Sequence, residues 1–248
     1  MMDYSKLDKL KQRLDSYRPM PTSVVNNLHE DLVLRWTYNS NAIEGNTLTL
    51  KETKVVLEGI TVGGKTMRAH FEAINHREAI YCVEDLGQKR EPLSARKIKL
   101  IHQLILKNID EENAGVYRKV NVIISGAAHT PPDFLHVADE MNQFIEWYKT
   151  EAGALHPVER AARVHADLIK IHPFADGNGR TSRLLMNLEL LKSGFPAGVL
   201  PVDKRLEYYE ALDTAHTKDN PQPFLSLVCE VVAAAFKPYW HAFGIKPG

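Results

Sequence analysis

Ile171-His172-Pro173-Phe174-Ala175-Asp176-Gly177-Asn178-Gly179-Arg180-Thr181-Ser182-Arg183 separates two strongly periodic apolar stretches of a 248-residue chain. Before it, Pro157 suits a first helical turn, and Val158 to Ile171 continues as a helix until Pro173 stops it. After it, Thr181–Lys192 carries Leu184, Leu185, Leu188 and Leu191 at helical spacing, with Gly194 placed to end the helix. The run is therefore a tight loop that opens a helix. Gly177, Asn178 and Gly179 are the residues best able to take left-handed conformations within it. Such a turn aims several N–H groups at one point, and the helix N-terminus adds partial positive charge; the result is an anion cradle.

The side chains of the run fit that cradle. Arg180 and Arg183 lie three apart, so they can share a face and reach phosphate oxygens together. Two cations at a helix N-terminus oppose the dipole, so an anionic partner is expected. Asp176 is a hard oxygen ligand suited to Mg²⁺ bridging phosphates. His172 is the one group in the loop able to accept a proton near neutral pH. Phe174 reads as a core anchor. Base, metal ligand, phosphate nest and two charge clamps together point to phosphoryl or nucleotidyl transfer.

Helical periodicity dominates elsewhere. Leu7, Leu10 and Leu14 share a helical face, and Ser94 caps a helix running to Asn108. Helices are also expected over Pro132–Tyr148 (with Val137, Met141, Phe144, Ile145 and Tyr148 as the apolar stripe), Asp203–Thr217 and Phe224–Phe236. The one strand candidate is Val120–Ile124, an arm of a short hairpin whose tip is Ser125, Gly126, Ala127 and Ala128. The class is mainly α, a helical bundle with a short β-hairpin flap. Composition places a boundary near Leu86–Pro92 between an N-terminal helical region and a core. Gly59–Thr66 satisfies the formal pattern of a phosphate-binding P-loop. It follows a helix that begins with a Thr49/Glu52 capping box, not a buried strand, and so reads as an inter-helix turn.

Composition narrows the setting. Apolar residues make up 44% and charged residues 25%, the balance of a globular protein. Lys plus Arg equals Asp plus Glu at 31 each, which gives no electrostatic case for nucleic acid. Two cysteines, no apparent signal peptide and no membrane-length apolar stretch make a reducing, cytoplasmic location the expectation, with no membrane association.

His172-Pro173-Phe174-x-Asp176-Gly177-Asn178-Gly179-Arg180-x-x-Arg183 resembles the signature of the Fic (Fido-domain) protein adenylyltransferases at every specified position. Gly115–Arg118, His129–Pro132 and Leu155–Glu159 are similar to that family's approach to its target-docking flap and to the helix leading into the motif. The bounds 1–92 for the N-terminal helical region, 93–229 for the core and 230–248 for a C-terminal helix end and tail are those the resemblance implies. The resemblance implies transfer of AMP from ATP to Ser, Thr or Tyr hydroxyls of target proteins and of the enzyme itself. His172 would be the base, with Asp176 holding Mg²⁺ (or Mn²⁺). Gly177, Asn178 and Gly179 would form the anion hole, Arg180 and Arg183 would hold the β/γ-phosphates, and Thr181 and Ser182 would lie within the nucleotide segment. Tyr208, Tyr209 and His216 resemble the segment lining the adenine site. Ser40-Asn41-Ala42-Ile43-Glu44-Gly45-Asn46 resembles the family's inhibitory motif, with Ser40 and Glu44 at its fixed positions. Glu44 would then pair with Arg183 and hold the enzyme off. The resemblance further implies a homodimer and is compatible with the reverse removal of AMP. Two alternatives stay open on the same residues: a Fic-scaffold transferase using another donor, and a non-catalytic nucleotide-binding regulator.

Overall fold

The computed structural model describes residues 2–245, and among them eleven α-helices and three short 3₁₀ turns are found, with no strand. The helices are α1 (Ser5–Asp15), α2 (Thr22–Ile43), α3 (Leu50–Leu57), α4 (Met67–Lys89), α5 (Ala95–Leu106), α6 (Val137–Thr150), α7 (Pro157–Ile171), α8 (Asn178–Lys192), α9 (Arg205–Thr217), α10 (Gln222–Ala234) and α11 (Lys237–Ala242). The mainly helical class expected from the sequence holds. Of the expected C-terminal tail, residues 246–248 lie outside the described residues.

α8 is the centre. Every residue from Arg180 to Leu190 is buried, so this helix has no solvent face and is surrounded by others. It packs most extensively on α7, and the two form the wall between two apolar clusters. Val164, Leu168 and Ile171 of α7 join Leu184, Leu185 and Leu188 of α8 in a cluster with α2, α4, α5 and α6. Val158, Ala161, Ala162 and Ile169 join Met186 and Leu190 in a second cluster, against α1, α9, α10 and α11. The first cluster takes Val33 and Trp36 from α2 and Ala79, Ile80 and Val83 from α4, so apolar packing is continuous across residue 92.

Local signals account for most element boundaries. The Ser94 side chain accepts from the Lys97 N–H at the start of α5, and Thr49 and Glu52 form a reciprocal capping box at the start of α3. α8 ends in paired bonds from Gly194 N–H to Leu191 O (3.0 Å) and Phe195 N–H to Leu190 O (3.0 Å), the Schellman arrangement. Gly59–Thr66 is a turn between α3 and α4, and Thr66 caps α4 through the Ala69 N–H.

Three expectations change. α8 begins at Asn178, earlier than Thr181, because Gly177 takes the cap position. The helix expected from Pro132 begins as a 3₁₀ turn at Phe134, since the Asp133 carboxylate captures the Leu135 N–H and tightens the turn; the α-helix proper starts at Val137. Val120–Ile124 runs as irregular chain that alternates in exposure, with Ile123 89% exposed, but forms no ladder. Side chains close that loop in place of backbone pairing. Buried Arg118 donates to the carbonyls of His172 (2.9 Å), Val120 (3.0 Å) and Pro132 (2.5 Å). Asn121 donates to Asp133 (2.9 Å) and accepts from the Phe134 N–H (2.8 Å).

Leu184 is fully buried between the helices of the first cluster, and its truncation leaves a cavity. Leu184→Ala is expected to destabilise the fold by about 2–5 kcal/mol, read from chemical denaturation.

Candidate active site

The loop joining α7 to α8 is pinned from within. Asn178 closes a ring with Phe174, its Oδ1 accepting the Phe174 N–H (3.0 Å) and its Nδ2 donating to the Phe174 carbonyl (2.9 Å). Phe174 is fully buried and stacks on the His102 ring at 3.6 Å between centroids. His102 Nε2 meets the Asp176 carbonyl (2.8 Å), and its Nδ1 accepts the Gly115 N–H (2.9 Å). Gly177 sits against that ring with φ of 79°, and a Cβ there would press on His102 and Ile105. The loop is thus rigid before any ligand arrives.

His172 ends α7 in the left-handed region (φ 49°, ψ 59°), an unusual conformation for a residue with a side chain. Three bonds hold it there: its own N–H to Leu168 O (2.9 Å), Arg118 on its carbonyl, and the Arg118 N–H on the next carbonyl, that of Pro173 (2.9 Å). Burial pushes the imidazole pKa down to about 4, so it is neutral and able to accept a proton at pH 7.

Arg183 is 3% exposed and its donors are nearly saturated. Nε donates to Ser40 Oγ (3.0 Å), and Nη2 donates to the Ser40 carbonyl (2.8 Å) and to Glu44 Oε1 (2.7 Å). The Glu44 carboxylate lies directly over Gly179, where any side chain would collide with it. Glu44 is the C-cap of α2, followed by Gly45. The residues the sequence singled out as a brake and a clamp, 139 positions apart, therefore meet, with the carboxylate in the cradle itself.

Arg180 is equally buried, 2% exposed, but loosely held. It straddles Glu72 and Asp176 at 3.3 Å each, and its Nε has no partner. Asp176 Oδ1 takes the Gly177 N–H (2.6 Å), and Oδ2 takes Arg68 Nη2 (2.6 Å). Burial alone would raise the Asp176 pKa, but Arg180, the Gly177 N–H and Arg68 together hold it below the usual carboxylate value. One carboxylate at a half-open cleft suits Mg²⁺, which takes most of its ligands from phosphates and water. Among the described residues no group of three or more His, Cys, Asp or Glu offers an all-protein metal cage.

The remaining expected residues divide. Thr181 and Ser182 are fully buried, and Ser182 Oγ donates to the Gly179 carbonyl of the nest (2.9 Å). Tyr208, 2% exposed, stands behind Arg183, its hydroxyl 3.5 Å from Nη1 and 2.9 Å from His165 Nε2. Tyr209 is 40% exposed and donates to the carbonyl of Ile43 (3.1 Å), beside the brake. His216 meets the Ala166 carbonyl (3.0 Å) and lies 5.0 Å from His129. The flap tip turns at Ser125-Gly126, and the N–H groups of Ala128 and His129 are held by Asp213 Oδ1 (2.9 and 3.0 Å). Arg68, Glu72 and His102 join the site without a sequence signal, because each is an ordinary charged or polar position on its own segment; Arg118 lies in the Gly115–Arg118 stretch of family resemblance, but nothing in the sequence assigned it these bonds.

Residues 92–190 match the Fic/DOC family. The protein adenylyltransferase Fic of Nematostella vectensis is 35% identical over 251 residues, covering 99% of this chain and 58% of the relative. Among solved structures, Fic-1 of C. elegans (residues 134–508) is 31% identical with a TM-score of 0.85, covering 96% of this chain and 72% of that one. A Fic-domain-containing signalling protein from Bacteroides thetaiotaomicron is 27% identical with a TM-score of 0.90, covering 97% and 98% of the two chains. The chain belongs to the Fic/DOC family. It spans a little over half the length of the sea-anemone relative.

Burial holds His102, His172 and His216 at about 4 and drives His76 and His165 well below the ordinary value of 6.5. A histidine kept neutral in the fold binds fewer protons than in the unfolded chain, so its contribution is complete above pH 6.5 and lost as pH falls towards 4. The urea midpoint is expected to drop steadily between pH 6.5 and 4, and His76→Phe is expected to flatten that slope.

Proposed function

We propose that this chain transfers AMP from ATP to Ser, Thr or Tyr hydroxyls of proteins, itself included, and that Glu44 restrains it. The Glu44–Arg183 bond over Gly179 carries the reading: a carboxylate occupies a cradle built for an anion and saturates the arginine that would hold one. The relatives' names supply the activity. The chemistry requires a base, and the neutral His172 imidazole takes the hydroxyl proton as the oxygen bonds to the α-phosphorus. The bond from that phosphorus to the bridging oxygen breaks, and pyrophosphate leaves.

Asp176 is the residue to hold Mg²⁺ or Mn²⁺, which supplies charge neutralisation on the phosphates. Gly177, Asn178 and Gly179 shape the nest, with Asn178 acting as its internal staple. Arg180 is held by two longer contacts while the donors of Arg183 are taken up by Ser40 and Glu44, so ATP bound in the resting state lacks one clamp. Tyr208 supports Arg183 from behind, and Tyr209 and His216 are the candidates for the adenine side. The Ser125–Ala128 turn, fixed to Asp213, presents the chain that meets the target. A homodimer and a cytoplasmic location rest on family resemblance and on composition; no helix among the described residues is long and apolar enough to cross a membrane.

Self-modification with ATP labelled on the α-phosphate tests the reading. Glu44→Gly is expected to raise label incorporation at least ~10-fold, since a charge-assisted hydrogen bond of roughly 1.5–3 kcal/mol no longer competes with phosphate. Adding His172→Ala is expected to abolish incorporation while ATP binding persists. Label arriving only from the γ-phosphate would instead identify a phosphoryl-transferring relative.

A further inference from the structure

Arg68, in the first turn of α4, bonds Asp176 Oδ2 through Nη2 at 2.6 Å and Glu72 Oε1 through Nε at 3.1 Å. Among the described residues it is the sole partner of that Asp176 oxygen in the hydrogen-bond network, and its side chain is 56% exposed at the cleft. The first turn of α4 holds no acidic residue, so a cation there works against the helix dipole unless an anion faces it. Buried Arg180 completes a ring of two guanidiniums and two carboxylates with one donor, its Nε, unpartnered. Glu72 is fixed in turn by Asn46 of the loop after the brake, whose Nδ2 donates to Oε2 (2.8 Å).

We propose that Arg68 is a third phosphate-binding arginine, held on the outer oxygen of Asp176 until a nucleoside triphosphate and its divalent cation arrive together. The proposal rests on the nucleotide reading of the site. Its geometry follows from coordination chemistry. Two oxygens bound to one Mg²⁺ at about 2.0–2.1 Å each sit about 3–4 Å apart. A donor now resting on the Asp176 oxygen is therefore within a short swing of any phosphate oxygen sharing that cation. Glu72, four residues on along the same helix, keeps hold of Nε, so the guanidinium pivots rather than drifting into solvent. The cation takes the Asp176 oxygen that Arg68 gives up, and the phosphate becomes the new partner of Arg68. Charge stays balanced through the exchange, and the arginine engages β/γ-phosphates only when the cation is present.

Calorimetry on Glu44→Gly and on Glu44→Gly with Arg68→Gln tests this, using a non-hydrolysable ATP analogue with Mg²⁺, the same analogue in EDTA, and AMP. The glutamine variant is expected to bind the Mg²⁺ complex about 10-fold or more weakly, the loss of one charge-assisted hydrogen bond. Affinity for AMP, which has no β/γ-phosphates, and for the metal-free analogue is expected to change by less than about 3-fold, far short of such a bond. Unchanged or tighter binding of the Mg²⁺ complex would overturn the assignment and leave Arg68 a mere occupant of Asp176. An equal loss for AMP would also overturn it, by showing a general disturbance of the cleft. A Glu44→Gly parent that binds none of the three would bring down the nucleotide reading itself, and this proposal with it.

Discussion

Arg180 and Arg183 lie buried in the first two turns of α8, where the helix dipole already opposes positive charge. An unpaired guanidinium in such a place costs several kcal/mol, and here there are two. The fold answers with carboxylates from three separate segments. Asp176 comes from the motif loop, Glu72 from α4 and Glu44 from the end of α2. Two of those carboxylates come from α2 and α4, the helices before residue 92 that also share an apolar cluster with those after it. The packing of the N-terminal helices and the neutralisation of the central helix are one constraint seen from two sides.

The two arginines are neutralised unequally, and function follows from the difference. Arg183 has short bonds to Ser40 and Glu44 and a tyrosine behind it. Arg180 has two 3.3 Å contacts and an unpartnered Nε. On the proposed reading, a phosphate at Arg180 exchanges with two longer carboxylate contacts, whereas at Arg183 it must displace a carboxylate one-third exposed on the end of a helix. Restraint by Glu44 is, on that reading, an exchange of one anion for another at a preformed nest. No lid has to open and no core has to repack, because Asn178, Phe174 and His102 hold the loop independently of Glu44.

Much of this was legible in the chain. Pro157, Ser94, the Thr49/Glu52 box and Gly194 marked helix ends by local chemistry, and local chemistry is what the folded chain uses there. The strand at Val120–Ile124 was misread for a related reason. Alternation of apolar and polar residues reports a half-buried extended segment, but it does not say whether a partner strand exists. Arg118 and Asn121 satisfy the loop from its base instead.

Local sequence was enough for most of the core helices, the tight turn between α7 and α8, the need for negative charge near Arg180 and Arg183, and the family. These are properties of neighbouring residues, set by spacing, dihedral preference and the dipole of a single helix. Only the tertiary structure decided which carboxylate meets which arginine, that Arg68 rests on Asp176, that Glu72 links the loop after the brake to Arg180, and that the histidine beneath Phe174 is His102. Those pairings join residues tens to more than a hundred positions apart. A charged residue on an exposed-looking helix carries no local mark of its partner, since Coulomb attraction depends on distance in space and not along the chain.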